Sequence, residues 1–187
     1  MSRRAQRQNI ITIVTVCTGN ICRSPLAEQV LQMRLADDSR FEVSSAGLHA
    51  VVGSPMDRDA ALQLQAHGGN PSGLRGEQLT ESHAAAADLI LTMTKGQRDE
   101  LIRRFPIAMQ RTFTMAEFAT LSELQQDISV STTETIVRAA RGRAQARLSK
   151  SDDVPDPIDA SAGVHELVGN QIVALVDRIA PALLNTK

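Results

Sequence analysis

The sequence predicts an α/β fold: three layers, with a four-stranded parallel sheet and helices on both of its faces. Three observations lead there. The segment from Ile10 to Val16 is β-branched and mostly apolar, the composition of a central strand covered on both sides. Short apolar runs recur at Phe41 to Ser44, Asp88 to Met93 and Arg111 to Thr114. Between them lie segments with helical spacing, and strands alternating with helices require crossovers that leave the strands parallel.

Each element has a local reason. After the first strand come the turn residues Thr18, Gly19 and Asn20. Ser24 and Pro25 follow, read as helix N-cap and first helical position, ahead of Leu26, Val30, Leu31 and Met33. A second strand over Phe41 to Ser44 leads into Ser45-Ala46-Gly47. A helix is expected over Met56 to His67, stopped by Gly68-Gly69, with a loop to Gly76. The third strand, Asp88 to Met93, precedes a helix from Gln97 to Phe105 that Pro106 ends. After the fourth strand, Met115 to Leu124 and Thr133 to Leu148 read as helices. Ser149 to Asp159 is polar and proline-bearing, hence a loop. Ala162 to Ala180 is the last helix, with Val164, Leu167, Val168, Ile172, Leu175, Val176 and Ile179 on one stripe.

At 187 residues with 42% apolar content, one domain over residues 1–187 is expected. Residues 1–8 read as a flexible basic tail and approximately 120–150 as a helical insertion. Arg138, Arg141, Arg143 and Arg147 in that insertion read as a solvated helix face, with a phosphoprotein docking surface as the alternative. The net charge of −1, four Phe and no Tyr or Trp argue against nucleic-acid binding. The apolar run after the basic tail is too short and too threonine-rich for a signal peptide, and no stretch approaches the ~20 consecutive apolar residues of a membrane span. A cytoplasmic protein without membrane insertion is expected. Its two cysteines, Cys17 and Cys22, share one loop and cannot staple distant parts of a fold, nor by themselves make a zinc site. His49, His67, His83 and His165 show no metal-ligand spacing and read as surface or packing residues; no metal or cofactor is expected.

The chemistry is concentrated in Cys17-Thr18-Gly19-Asn20-Ile21-Cys22-Arg23-Ser24-Pro25. A Cys, five residues and an Arg between a strand and a helix form a cradle for a tetrahedral anion. Backbone N–H groups of Thr18 to Arg23 turn inward, the helix adds its positive end, and Arg23 offers a planar charged fork. The same features favour the thiolate form of Cys17, and Ser24 can donate a hydrogen bond to it. Such a thiolate attacks phosphorus and forms a phosphocysteine.

Together with Ser44-Ser45-Ala46-Gly47, Gln78-Leu79-Thr80, Ala87 to Met93 and Asp156-Pro157, this loop resembles the low-molecular-weight protein tyrosine phosphatases. Ala46 to Gly53 is similar to bacterial members acting in exopolysaccharide control. The resemblance implies a phosphotyrosine protein as substrate, with a tyrosine kinase of that system as the partner. It implies Cys17 as nucleophile, Arg23 as phosphate clamp and Asp156 as general acid and base. Read from the residues alone, Asp152, Asp153 and Asp159 compete for that last role. The family pattern makes Thr18, Gly19, Asn20, Ile21, Cys22, Arg23 and Ser24 phosphate-binding, with Asn20, Ser24 and Ser45 bracing the loop. Cys22 is either a small packed residue or the partner of Cys17 in a reversible disulfide. The sequence departs from the family in lacking an aromatic after Asp156-Pro157, where Ile158 stands. Three other readings stay open: an arsenate reductase using an external thiol, a protein arginine phosphatase (whose relatives carry Thr where this loop has Ile21), and a catalytically silent phosphate-binding module.

Overall fold

The computed structural model describes residues 10–124, 131–142 and 152–184. The predicted N-terminal tail lies outside these residues, as do Arg143 and Arg147. Strand β1 (Ile11–Cys17) leads to α1 (Arg23–Leu35), then β2 (Phe41–Gly47), α2 (Arg58–Ala66), α3 (Glu81–Ala86) and β3 (Leu89–Thr92). Next come α4 (Lys95–Arg104), a 3₁₀ turn (Pro106–Arg111), β4 (Thr112–Thr114), α5 (Met115–Glu123), α6 (Thr132–Gly142) and α7 (Ala162–Leu184). All strand pairs are parallel, in the order β2-β1-β3-β4. This is the predicted three-layer α/β architecture.

Period-two alternation divides the central strands between two cores. Ile11, Ile13, Leu89 and Leu91 face the larger one, packed with α1, α2, α5, α6 and α7. Val14, Val16 and Ile90 face the smaller one, closed by Leu79, Ala84, Leu101 and Ala108 from α3, α4 and the segments beside them. Two of the four phenylalanines, Phe113 and Phe118, are fully buried and meet in a tilted pair with centroids 5.3 Å apart, worth about 1 kcal/mol beyond area burial.

Side-chain caps start most helices. Asp57 caps α2, and Thr80, Thr94 and Thr114 form capping boxes at α3, α4 and α5. Because Thr94 caps α4, that helix starts at Lys95 rather than Gln97. Helix α3 and the 3₁₀ turn were not predicted: each is six residues long and has a single buried residue, too little for a periodic signal. The fourth strand is shorter than expected, since Arg111 belongs to the 3₁₀ turn.

Helix α7 corrects the expectation that no segment matches a membrane span. By length and mean hydropathy it is long and apolar enough to cross a bilayer, with half of its most apolar window buried. Counting uninterrupted apolar residues missed it, because Glu166, Asp177 and Arg178 lie on its outer side. Its apolar stripe, including Val168, Ile172, Val176 and Ile179, belongs to the larger core.

Candidate active site

The C-terminal end of β1 points into the loop 17–24, and α1 begins at Arg23 with Cys22 as N-cap residue. That corrects the expectation that Ser24 caps this helix. No side chain caps α1, so its first N–H groups keep their capacity for an anion. Ser24 lies inside the first turn, fully buried, and spends its hydroxyl elsewhere. Its Oγ is 3.0 Å from Cys17 Sγ, and the Asn20 backbone N–H donates to the same sulfur at 3.2 Å.

Asn20 Nδ2 donates to Ser24 Oγ and to Ser45 Oγ, each at 2.9 Å. Its Oδ1 accepts the Glu77 backbone N–H at 2.7 Å. The 47–53 segment then runs beside the loop: the N–H groups of Leu48, His49 and Val51 donate to the carbonyls of Cys17, Thr18 and Gly19 at 2.9 Å each. These bonds turn loop carbonyls away from the anion position. Two glycines allow the approach. A Cβ on Gly47 would stand 2.6 Å from Thr18 O, and one on Gly76 would stand 2.3 Å from Val51 O.

Arg23 is 4% exposed. Its Nη1 donates to Val154 O at 3.1 Å, and its Nη2 pairs with Asp156 Oδ2 at 2.5 Å. Its Nε has no hydrogen-bond partner among the described residues. The 152–158 segment is held in turn by the junction between β3 and α4: Val154 N–H donates to Met93 O at 2.9 Å, and Lys95 N–H donates to Asp153 Oδ1 at 3.0 Å. Asp153 is thus occupied in tethering its own loop. Asp159 sits at φ +58° in a turn. Of the four aspartates that compete in the sequence, Asp156 lines the cleft over the loop; its side chain is half exposed.

That cleft has a volume of about 310 Å³ and is lined by Cys17, Thr18, Gly19, Ile21, Cys22, Arg23, His49, Val51, Asp156 and Ile158. Its walls are aliphatic where the sequence lacked aromatics. His49 stands at the rim, 2.8 Å from Glu100.

Both cysteines are free thiols and buried. Burial pushes the Cys22 thiol up to about 12, with Asp57, Cys17 and Asp156 adding to the shift and Arg23 opposing it. Cys22 is therefore a neutral thiol at pH 7. Iodoacetate at that pH is expected to alkylate Cys17 and leave Cys22 intact, as read by peptide mass spectrometry. Label on Cys22 in the native protein would contradict this.

Sequence reasoning missed Gln97 and Gln78. Gln97 Nε2 donates to Thr18 Oγ1 at 3.0 Å, while its Oε1 accepts the N–H groups of Met93 and Thr94. Gln78 Nε2 donates to the carbonyls of Gly47 and Leu48, and its Oε1 accepts Ala50 N–H. Only the sequence neighbourhood of Gln78 carried any signal, through its family likeness. Gln97 looked like an ordinary residue near a helix start.

Residues 12–131 match the family model for low molecular weight phosphotyrosine protein phosphatases. The chain belongs to this family. Among proteins similar to this family member is a protein-arginine-phosphatase of Geobacillus stearothermophilus, 31% identical over 171 residues, covering 91% of this chain and 95% of that protein. Another is the probable low molecular weight protein-tyrosine-phosphatase EpsP of Ralstonia nicotianae, 42% identical over 108 residues, covering 58% of this chain and 72% of the relative. The crystal structure of the tyrosine phosphatase Wzb from Escherichia coli K30 in complex with sulphate superposes with a TM-score of 0.70. It shares 26% identity and covers 93% of this chain and 99% of that one.

Proposed function

We propose that this phosphatase hydrolyses phosphotyrosine in proteins through a phosphocysteine on Cys17. The carrying observation is that Cys17, Arg23 and Asp156, separated by up to 139 residues of sequence, line one cleft closed at its base by the loop. The phosphate dianion sits against the loop N–H groups and the Arg23 guanidinium, which desolvated N–H donors and a fixed cation favour strongly. The thiolate attacks phosphorus opposite the leaving oxygen. As the S–P bond forms and the P–O bond breaks, Asp156 passes its proton to the departing phenolate. The Asp156 carboxylate then takes a proton from water, whose oxygen attacks phosphorus, and the Cys17 thiolate departs with the Ser24 hydroxyl donating to it. Inorganic phosphate is the product.

The walls favour an aryl ester. Ile21, Val51 and Ile158 present apolar surface that suits a phenyl ring better than a guanidinium, which would lose water without gaining acceptors. The absence of aromatic side chains among the lining residues forgoes a stacking contribution of about 1 kcal/mol. Phosphoarginine is the second reading, favoured by the Geobacillus relative, whose alignment spans nearly the whole chain. Turnover of matched phosphotyrosine and phosphoarginine peptides separates the two. Wild type is expected to prefer phosphotyrosine, and Ile21→Thr to narrow that preference by about tenfold, the scale of one pocket contact. A wild-type preference for phosphoarginine would reverse the assignment. A tyrosine kinase of exopolysaccharide control is the natural partner that the 46–53 segment suggests, and a reducing cytoplasm suits two free thiols at the site.

A further inference from the structure

Asp156 stands between two prolines, Pro155 and Pro157. Each ring fixes its own φ, and each confines the residue before it to extended backbone. The whole stretch from Val154 to Pro157 is therefore stiff. It forms an arch. Val154 is fully buried in the larger core at one foot, Pro157 is buried at the other, and Pro155 and Asp156 are exposed between them. A stiff arch passes a displacement of its feet on to its crest, where a flexible one would absorb it.

The foot at Asp153 and Val154 is tied by four hydrogen bonds. Lys95 N–H, at the start of α4, donates to Asp153 Oδ1 at 3.0 Å. Val154 N–H donates to Met93 O at 2.9 Å, and Val154 O accepts Arg23 Nη1 at 3.1 Å. The fourth bond comes from α7: Gln171 Nε2 donates to Asp153 O at 3.3 Å. Only Arg23 and Gln171 use side-chain donors here. Arg23 already serves as the phosphate clamp, so Gln171 is the donor that the reaction does not otherwise employ. Its neighbour Ile172 is fully buried, which fixes the backbone that carries the amide. The other foot rests on the same helix, since Pro157 shares a small cavity with His165, Val168 and Ile172.

We propose that Gln171 is a positioning residue for the general acid: by holding Asp153 O against α7, it sets the tilt of the Pro155-Asp156-Pro157 arch and so the aim of Asp156 at the leaving oxygen. This rests on the reading of Asp156 as the acid. Two variants test it. Gln171→Met keeps the length of the side chain and removes its donor. Gln171→Glu keeps the shape and sets an acceptor against the carbonyl. Each is assayed with p-nitrophenyl phosphate, whose phenol is acidic, and with phenyl phosphate, whose phenol is not. Gln171→Met is also combined with Asp156→Asn, and Tm is recorded for every variant.

The readout is kcat/KM, which covers the steps up to departure of the phenol. Gln171→Met is expected to lower it about tenfold for phenyl phosphate, the scale of one hydrogen bond. For p-nitrophenyl phosphate the loss should stay within about twofold, because an acidic phenol needs little help from a proton donor. Gln171→Glu should lose at least as much on phenyl phosphate. In the Asp156→Asn background, Gln171→Met should cost nothing further, since both changes act on one proton transfer. Equal losses on the two esters, wild-type values on both, or a loss that persists in full without Asp156 would each overturn the proposal. If Gln171→Met does not fold, Gln171→Glu decides by the same comparison of esters. Should Asp156→Asn alone lose equally on both esters, the acid reading falls and takes the proposal with it. A selective loss at Asp156 beside an unselective one at Gln171 overturns the proposal alone.

Discussion

Replacing Cys17 with serine is expected to reduce turnover of p-nitrophenyl phosphate by at least ~10⁴-fold, the scale seen when a covalent nucleophile is removed, while inorganic phosphate still binds. The two halves of this expectation have separate causes. A serine hydroxyl at that position lacks a base to take its proton, since Ser24 Oγ, 3.0 Å from the sulfur, is itself a hydroxyl already accepting from Asn20. The anion cradle is made of backbone N–H groups and Arg23, none of which the substitution removes. Stopped assays of turnover and calorimetric titration with phosphate check both halves. Substantial activity in the purified variant would remove the phosphocysteine from the mechanism. Loss of phosphate binding along with turnover would mean that the sulfur also shapes the cradle.

The second large effect is expected at Asp156. Asp156→Asn should lower kcat by ~10²- to 10⁴-fold, the usual worth of a positioned acid, with a dependence on the leaving group that no packing defect imitates. An aryl phosphate whose phenol is strongly acidic needs little protonation and should lose least; phosphotyrosine, with an unactivated phenol, should lose most. The exposure of Asp156 makes the variant a mild one structurally: its side chain is 50% exposed and its firm contact is the ion pair with Arg23. Equal losses across a series of aryl phosphates would count against Asp156 as the acid and point to Asp152 or Asp159 of the same loop. Arg23 keeps its bond to Val154 O in this variant, so phosphate affinity should change little.

The fold was legible because its signals are local. Ile10 to Val16 reads as a buried strand from composition alone, and the alternation of Leu89, Ile90 and Leu91 between two cores follows from the pleat. Cys17 and Arg23 were legible because one loop carries both. What stayed hidden depends on distant pairings. Ser24 reads as a helix cap in sequence, since Ser before Pro is a common start; its hydroxyl is instead claimed by Cys17 and Asn20. Gln97 meets Thr18 across 79 positions, and Arg104 meets Leu48 across 56. Neither has a motif, because a long-range hydrogen bond leaves no periodicity behind. Asp156 lay between: the residues around it offered four aspartates, and its place on the cleft separates it from the others.

The bond from Arg23 to Val154 spans 131 positions of the chain, and this has a consequence for the protein during its own synthesis. Emerging from the ribosome N-terminus first, at ~5–20 residues per second, the chain exposes Cys17 and Arg23 long before the segment that orients the guanidinium. Over that interval the loop has its nucleophile and its glycine but neither the carbonyl of Val154 nor Asp156. A nascent chain is thus an incomplete hydrolase by construction until the segment with Val154 and Asp156 reaches Arg23.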